Sequence, residues 1–309
     1  MTVLEGIQRS SEFLAKHGVE SPRLHSELLL AHVLKLQRMQ LYLNFERAIS
    51  ETETDTLRGL VKRRSQREPL QHIIGSTSFC GLEIAVNRTV LIPRPETEVL
   101  AEHGWKFLNG TNKSQPTALD LGTGSGCIAI ALANNSPQAR VYALDTSIDS
   151  LSTAKQNAER NHVADRIEFI QSDLFGPSPR PDAPRLSRST IPRVDLIISN
   201  PPYIPTAEIE TLAPEVRDFD PRQALDGGPD GLDFYRRIAG EAHSHLEPGG
   251  KLMLELGDGQ SESLQKLFAE QKWIVEGIVE DYTGRQRILI AHESGESDAV
   301  TQNASEQTN

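Results

Sequence analysis

The segment 117–133 limits the possible folds more than any other part of the chain. Residues 117–121 are a short apolar run typical of a buried strand, and a loop with three glycines follows at 122–126. Residues 127–133 are small and apolar, which favours a helix. A strand, a glycine turn and a helix open a nucleotide-binding βα unit. Since strand and helix patterns alternate over 96–292, the sequence predicts an α/β domain with a mostly parallel sheet.

The glycine loop and the acidic residue after the next strand predict a small-molecule site. Asp145 lies 19 residues beyond Gly126, near the spacing at which an acidic side chain binds ribose hydroxyls. A dinucleotide site reads G-x-G-x-x-G, whereas this loop reads G-x-G-x-G, and Asp120 beside it would repel a pyrophosphate. A carboxylate suits a cation or an amine, so S-adenosylmethionine fits better. The candidate cofactor residues are Gly122, Thr123, Gly124, Ser125, Gly126 and Asp145. A glycine-rich turn without a ligand is the alternative.

A second site-like segment follows the apolar run 194–199 and reads Asn200, Pro201, Pro202 and Tyr203. The run predicts a buried strand that ends at the prolines, and open α/β sheets bind ligands at that edge. Because prolines have no N–H group, the tip presents the Asn200 amide, backbone carbonyls and the Tyr203 ring. Carbonyls accept hydrogen bonds and a ring offers a flat face. The segment therefore predicts a socket for a planar –NH₂ group and a reaction at nitrogen.

Two further segments carry candidate site residues. Asp173 and Leu174 follow a predicted strand at 167–170, whose end should lie beside the glycine loop. Asp173 is then placed to accept from an adenine amine and Leu174 to cover the ring, although an ordinary turn is an equal alternative. Arg94 is held in an extended stretch by the prolines on either side of it. This rigid presentation makes Arg94 a candidate substrate contact, against the alternative of a surface linker.

Composition restricts the classes of function. The 309 residues include 37% hydrophobic and 24% charged residues, as in soluble globular proteins. No apolar run reaches membrane-spanning length, and the N-terminus lacks the basic and apolar regions of a signal peptide. The two cysteines, Cys80 and Cys127, cannot supply a disulfide framework or four zinc ligands. We therefore expect a cytoplasmic protein with no metal site and no membrane contact.

The charge of the chain is unevenly distributed. The total is −11, but residues 1–90 carry a net charge of +2 and the remainder carries −13. An acidic α/β domain argues against stable nucleic-acid binding, which requires neutralisation of phosphates. A basic cluster nevertheless occurs within the first region: Arg58, Lys62, Arg63, Arg64 and Arg67. It is either a solvated helix face or a surface for an acidic protein or RNA, and the sequence favours neither.

Residues 1–75 predict a small helical domain. Ser21 and Pro22 provide an N-cap and a proline at the first helical position of one helix. Ser50 and Glu53 form a capping box at the start of another. Because no catalytic cluster lies in this region, we expect a recognition domain.

The rest of the chain divides into three regions. Residues 76–95 predict a hairpin and a linker, and 96–292 form the α/β domain. The Pro-, Ser- and Arg-rich stretch 176–193 predicts an exposed loop within that domain. The polar segment 293–309 predicts a disordered tail.

Several of these motifs together resemble the release factor glutamine methyltransferases, the PrmC/HemK family. The glycine loop and the Asn-Pro-Pro-Tyr tip are shared with other methyltransferases, whereas the segment 91–98, Leu-Ile-Pro-Arg-Pro-Glu-Thr-Glu, is far more specific. The segments 68–75 and 224–228 match as well. The resemblance covers about residues 20–291, and His72 and Asp220 depart mildly from the family pattern.

The resemblance implies a fold and a reaction. The fold is that of class I S-adenosylmethionine-dependent methyltransferases, Rossmann-like with a mostly parallel seven-stranded sheet, behind a small all-helical domain that recognises a release factor. The reaction moves a methyl group from S-adenosylmethionine to N(5), the side-chain amide nitrogen, of a glutamine. That glutamine belongs to the Gly-Gly-Gln motif of class I peptide chain release factors, so the activity supports translation termination.

The resemblance also assigns roles by motif. The segment 122–126 and Asp145 bind S-adenosylmethionine, and Leu174 lies at an adenine-contact position. The tip binds the glutamine, with Asn200 Oδ1 and the Pro201 carbonyl accepting its two N–H groups. The expected roles are catalytic for Asn200, Pro201 and Tyr203, cofactor contact also for Asn200 and Asp173, and substrate binding for Asn200, Pro201, Pro202, Tyr203 and Arg94.

Three other functions compete with this one. A methyltransferase acting on a base amine in DNA or rRNA should carry a strongly basic groove, which the acidic domain does not favour. A dehydrogenase should carry G-x-G-x-x-G and gives the Asn-Pro-Pro-Tyr tip no role. A non-catalytic binding module should have a degraded loop or tip, and both are intact. We expect a monomer, because no exposed heptad or apolar stripe stands out.

Overall fold

The computed structural model describes residues 1–176 and 191–294. Most of the predicted loop 176–193 and of the predicted tail 293–309 lies outside the described residues. The chain clusters into two compact units. The first contains Met1–Ser76 together with Val86–Arg88 and Leu212–Asp220, and the second contains the rest. Two short segments thus cluster with the helical unit, although the sequence places them in the linker and in the α/β domain.

Helices and strands are numbered in chain order. The helices are α1 (Val3–Lys16), α2 (Pro22–Leu34), α3 (Arg38–Tyr42), α4 (Glu51–Ser65), α5 (Leu70–Ile74), α6 (Pro95–Gly110), α7 (Cys127–Asn135), α8 (Ile148–Arg160), α9 (Pro214–Arg217), α10 (Asp233–Glu241) and α11 (Ser261–Glu270). The strands are β1 (Ser76–Phe79), β2 (Leu82–Ala85), β3 (Thr117–Leu121), β4 (Arg140–Asp145), β5 (Ile167–Gln171), β6 (Val194–Ser199), β7 (Leu246–Glu255), β8 (Trp273–Glu280) and β9 (Gln286–Glu293). Within the described ranges, every helix is too short or too polar to span a lipid bilayer.

The helix starts of the first unit show where local sequence rules hold. Ser50 Oγ accepts from the Glu53 backbone N–H at 3.2 Å and the Glu53 carboxylate accepts from the Ser50 N–H at 2.8 Å, so the predicted capping box is confirmed. The predicted side-chain cap at Ser21 is wrong. Ser21 has a φ of 48°, and its side chain makes no capping hydrogen bond. The left-handed backbone replaces the extended conformation from which an N-cap side chain reaches the first turn.

The basic cluster of the first unit is largely engaged inside the unit. Arg64 is only 3% exposed, and its guanidinium donates to Glu215 Oε1 at 2.7 Å, to His25 Nδ1 at 3.1 Å and to the Glu68 carbonyl at 3.1 Å. Arg67 donates to the other Glu215 oxygen at 2.7 Å. These two arginines therefore hold α9 against the helical unit. The hypothesis of a binding surface made of all five basic side chains is wrong, because Arg64 is buried in an ion pair with Glu215.

The second unit contains the predicted mostly parallel sheet of seven strands. Within the described ranges the strand order is β5-β4-β3-β6-β7-β9-β8, and only the pairs of β9 with β7 and β8 are antiparallel. β1 and β2 form the separate hairpin that the sequence predicts. The strand order reverses between β3 and β6, and such a point is where open α/β sheets bind ligands.

Candidate active site

The three predicted site segments meet at the carboxyl edge of the sheet. β3 pairs in parallel with β4 and with β6, so Leu121 lies beside both Leu144 and Ser199. The next residues along these strands are Gly122, Asp145 and Asn200. The sheet register therefore brings the glycine loop, the acidic residue and the Asn-Pro-Pro-Tyr tip together, although they are far apart in sequence.

Two glycines form the open side of the loop. Gly122 and Gly124 have φ values of 68° and 55°, a left-handed conformation that residues with a Cβ rarely adopt. A Cβ atom at Gly122 would have no heavy atom within 4 Å, and at Gly124 it would approach only the Gly122 carbonyl oxygen. Both glycines line a cavity. The bare backbone thus leaves room for a ligand against the loop.

The other three loop residues face the protein. Thr123 and Ser125 are buried, and the Thr123 hydroxyl donates to Asp120 Oδ2 at 2.7 Å. A Cβ at Gly126 would stand 3.0 Å from the Ala154 Cβ, so this glycine allows α7 to pack closely against α8. The structure therefore brings two of the five predicted loop residues to the cavity, and the remaining three shape the loop from behind.

Asp120 lies beneath the loop in the core. It is fully buried, and Oδ2 accepts from the Thr123 hydroxyl and from the Ala129 N–H. Oδ1 has no hydrogen-bond partner among the described residues. Burial, partly offset by these two hydrogen bonds, raises the pKa of Asp120 to about 7. Such an unpartnered buried acceptor is expensive unless a ligand or a proton satisfies it.

Asp145 lines the cavity and is tied to the glycine loop. Its Oδ2 accepts from the Gly124 N–H at 2.9 Å and its Oδ1 from the Ser147 N–H at 2.8 Å. Burial raises the pKa of Asp145, and these backbone hydrogen bonds act against that rise. A carboxylate offers about four lone-pair positions, so each oxygen can accept a further hydrogen bond from a diol.

The cavity has a volume of about 350 Å³, within the range of small-molecule sites. Asp173 and Leu174 both line it, and Asp173 Oδ1 accepts from Arg237 Nη2 at 2.9 Å. Sequence reasoning missed Arg237 and Phe234, which also line the cavity. They lie three residues apart on α10, the spacing that puts two side chains on one helix face, but no local signal shows which face meets the cavity.

The Asn-Pro-Pro-Tyr tip is divided between the cavity and the core. Asn200 and Pro202 line the cavity, whereas Pro201 is buried and Tyr203 packs against the core. Burial, with the nearby Glu255 carboxyl, raises the pKa of Tyr203 to about 12. Its phenol is therefore neutral at physiological pH and does not serve as a base.

The segment 224–228 supports the tip. The Ile204 N–H donates to the Leu225 carbonyl at 3.0 Å, and the Gly227 N–H donates back to the Ile204 carbonyl at 2.9 Å. A Cβ at Gly227 would stand 2.8 Å from both the Pro202 carbonyl oxygen and the Tyr203 Cα. Only glycine allows this close approach, so the motif acts as a backbone clamp on the tip.

Arg94 is not among the residues that line the cavity. It occupies the N-cap position of α6, and its charge acts to lower the pKa of Glu255 and of Tyr203. The structure therefore does not bring this candidate substrate contact to the cavity.

The Asn200 side chain is held by two buried residues that sequence reasoning did not single out. Asn200 Nδ2 donates to Thr97 Oγ1 at 3.1 Å, and the Thr97 hydroxyl donates to Glu255 Oε2 at 2.6 Å. The three residues come from the ends of β6 and β7 and from the start of α6. A cavity with a glycine wall, a carboxylate and a fixed carboxamide suits the binding of a nucleoside and the positioning of an amide.

Comparisons with known proteins agree with this geometry. A profile of the PrmC N-terminal domain matches residues 5–75, and a methyltransferase domain matches residues 112–304. A release factor glutamine methyltransferase of Geobacter sulfurreducens is 43% identical over 93% of this chain and 95% of its own length. The corresponding protein of Chlorobaculum tepidum is also 43% identical, over 93% and 96% of the two chains.

A solved structure supports the fold. The crystal structure of the hMettl16 catalytic domain in complex with a hairpin superposes with a TM-score of 0.52 at 16% identity, covering 80% of this chain and 84% of that chain. This likeness concerns the fold alone, which is that of a methyltransferase domain.

Proposed function

The chain belongs to the release factor glutamine methyltransferase family, and on that premise we propose that it methylates the side-chain amide nitrogen of a glutamine. The glutamine is that of the Gly-Gly-Gln motif in class I peptide chain release factors, and the methyl donor is S-adenosylmethionine. The observation that carries the proposal is the Asn200 carboxamide, which lines the cavity beside the glycine loop with its nitrogen bound to Thr97.

The residues of the cavity fit S-adenosylmethionine. Gly122 and Gly124 leave room for the cofactor against the loop. Asp145 would accept from its ribose hydroxyls, and Asp173 and Leu174 would contact its adenine. Asp120, with one oxygen that has no partner among the described residues, adds a negative charge below the loop when it is ionised, which favours a ligand that carries an ammonium and a sulfonium. The cofactor supplies a methyl group that is activated by the positive sulfur.

The tip would act on the glutamine by positioning it. An amide nitrogen is a poor nucleophile, since its lone pair is delocalised into the carbonyl. Asn200 Oδ1 and the Pro201 carbonyl would accept its two N–H groups and hold the nitrogen in line with the methyl group, with Tyr203 supporting the tip. Such acceptors favour positive charge that develops on nitrogen, and fixed orientation supplies much of the rate. Bound there, the cofactor would supply the methyl group, so that an N–C bond would form as its S–C bond breaks, and one amide proton would leave to water.

The helical unit would recognise the release factor. Support comes from the match of residues 5–75 to the PrmC N-terminal domain and from the net positive charge of residues 1–90. The acidic remainder of the chain, at −13, favours a protein substrate over nucleic acid.

The test is methyl transfer from labelled S-adenosylmethionine to a purified class I release factor. Parallel reactions contain the Gly-Gly-Gln→Gly-Gly-Ala factor, DNA and rRNA. We expect label on the unmodified factor alone. Label on the alanine variant would exclude glutamine as the acceptor, and label on nucleic acid would exclude the proposed substrate class.

A further inference from the structure

We propose that Thr97 and Glu255 are positioning residues that determine which end of the Asn200 carboxamide faces the substrate. The inference rests on the proposed function, because it assigns to Asn200 Oδ1 the role of accepting from the glutamine amide. Thr97 and Glu255 are each 2% exposed, and neither lines the cavity. They would act on the reaction only through Asn200.

The direction of the hydrogen bonds follows from the chemistry of the three groups. An ionised carboxylate only accepts, so the Thr97 hydroxyl must give its single proton to Glu255. The Thr97 oxygen can then only accept from the next group, and the Asn200 end that donates is the NH₂. The carbonyl oxygen of the Asn200 amide is the end left for another partner. An ionised Glu255 thus presents an acceptor to the glutamine NH₂.

A protonated Glu255 reverses this direction. Its carboxyl O–H can donate to Thr97 Oγ1, which frees the Thr97 proton to donate to Asn200 Oδ1. The amide would then turn its NH₂ toward the substrate, where two donors face each other and no hydrogen bond forms. We call this chain of hydrogen bonds from Glu255 through Thr97 to Asn200 the relay. It predicts that methyl transfer needs an ionised Glu255.

The surroundings of Glu255 make this proton exchange accessible near neutral pH. Burial raises the pKa of Glu255 to about 7, and the Thr97 hydrogen bond opposes that rise. The Tyr235 hydroxyl donates to the Glu255 backbone carbonyl at 2.7 Å and leaves the carboxyl untouched. The charged and titratable groups that face the carboxyl are Arg287 and Arg94, which favour its charge, Glu96, which opposes it, and the phenols of Tyr203 and Tyr235.

The fold explains why these residues meet. β6 and β7 are parallel neighbours with Ser199 beside Leu254, so Asn200 and Glu255 follow at the same edge. Thr97 is the third residue of α6, which begins at Pro95. The relay thus gives the family-specific segment 91–98 a role in the chemistry that a linker would not have.

Isosteric variants of Thr97 test the relay by kinetics. Thr97→Val removes the hydroxyl and keeps the shape, and Thr97→Ser keeps the hydroxyl. We expect Thr97→Val to lower kcat for a release factor by roughly 10- to 100-fold without changing the KM for S-adenosylmethionine, the effect expected when a buried group loses its hydrogen-bond partner. Thr97→Ser should restore most of the rate. Wild-type kcat in Thr97→Val, or equal loss in both variants, would overturn the proposal.

The pH profile provides a readout that a purely structural role would not move. Wild-type kcat should fall as pH drops through about 7, where Glu255 takes up its proton. Thr97→Val cuts the relay, so its remaining rate should lack that decline. Asp120 has a pKa in the same range and is intact in both proteins. If kcat still declines at low pH in Thr97→Val, the decline comes from Asp120 or another group, and the relay is contradicted.

A substrate-independent measurement separates this proposal from the proposed function. The ¹⁵N side-chain amide signal of Asn200, identified by its loss in Asn200→Ala, should shift with a midpoint near pH 7 in wild type and Thr97→Ser but not in Thr97→Val. If wild type methylates no release factor, the proposed function fails and this signal still decides the relay. A wild-type signal that does not respond to pH would overturn the relay alone.

Discussion

Two buried glutamates, Glu27 in the helical unit and Glu255 in the second unit, differ in how their charge is satisfied. In the helical unit, Glu27 is 1% exposed and accepts from Arg23, Arg38 and the Tyr42 hydroxyl at 2.8–3.0 Å. Burial acts to raise the pKa of Glu27, but these hydrogen bonds outweigh it and lower the pKa. In the second unit, Glu255 is equally buried, its carboxylate accepts from the Thr97 hydroxyl, and burial raises its pKa to about 7.

The difference separates a buried charge that is fully paired from a buried acidic group that has fewer hydrogen-bond partners. Arg64 and Glu215 follow the first pattern, since each is satisfied within the helical unit. Asp120 follows the second, because its Oδ1 has no hydrogen-bond partner in the described part of the chain. A paired buried charge fixes the fold, whereas an under-satisfied one has capacity for a ligand, a proton or a neighbouring site residue.

The largest expected effect is on turnover, at the tip. Asn200→Ala removes the acceptor proposed for the glutamine amide and should lower kcat by about 100- to 1000-fold, the loss typical of one preorganised hydrogen-bonding group. Affinity for S-adenosylmethionine should change much less. Asn134→Ala, at an exposed position of α7, is the matched control and should leave kcat unchanged. Normal turnover in Asn200→Ala would contradict the proposal that Asn200 binds the glutamine amide.

The next effect is on stability, in the helical unit. Arg64→Met breaks a buried ion pair and leaves Glu215 with fewer donors, so the free energy of unfolding should fall by about 3 kcal/mol. Arg58→Met is the control, because that arginine is exposed and its pair with Asp55 should contribute almost nothing. Denaturant unfolding measures both. Equal small losses would mean that burial does not distinguish these two arginines.

Cofactor affinity tests the carboxylate at the cavity. Asp145→Ala removes the proposed ribose acceptor and also frees the Gly124 N–H, so affinity for S-adenosylmethionine should fall by roughly 10- to 100-fold. Isothermal titration calorimetry gives the value directly. The exposed Asp149→Ala serves as control. If Asp145→Ala bound the cofactor like wild type, the ribose assignment would be wrong.

The smallest effect is on thermal stability and has opposite signs at two buried carboxyl groups, Asp120 and Glu27. The pKa of Asp120 is raised from 3.8 to about 7 in the folded protein. The native state therefore loses stability as the pH rises from about 4 through about 7. Asp120→Asn should therefore raise Tm at pH 8, by roughly 2–6 °C, and have little effect at pH 4. The lowered pKa of Glu27 reverses the sign, so Glu27→Gln should lower Tm at pH 8. Thermal scans that gave both variants the same sign would contradict the comparison.

The sequence predicted the features that depend on local pattern. The glycine loop, the alternation of strands and helices, the hairpin and the capping box at Ser50 follow from residues close together in the chain. The cap at Ser21 failed because the backbone there is left-handed, which the residue type did not reveal. Arg64 does not belong to a basic surface, because the segment 212–220 supplies Glu215 to it from 151 positions away.

Long-range side-chain contacts were beyond sequence reasoning. Thr97 and Glu255 are separated by 158 positions, and no local sequence pattern indicates that their side chains form a hydrogen bond. Phe234 and Arg237 line the cavity, but which face of α10 meets the cavity depends on tertiary packing and not on the sequence of the helix. The positions of Asn200 and Asp145 were predictable, since parallel strands place their carboxyl ends at one edge.

The most direct test of the account is to locate the methyl group by tandem mass spectrometry after a single turnover with a class I release factor. Wild-type enzyme and Asn200→Ala should be compared at saturating S-adenosylmethionine. The account predicts methylation of the Gly-Gly-Gln glutamine at its amide nitrogen with wild type and almost none with Asn200→Ala. A methyl group on any other residue, or equal glutamine methylation by both enzymes, would contradict it.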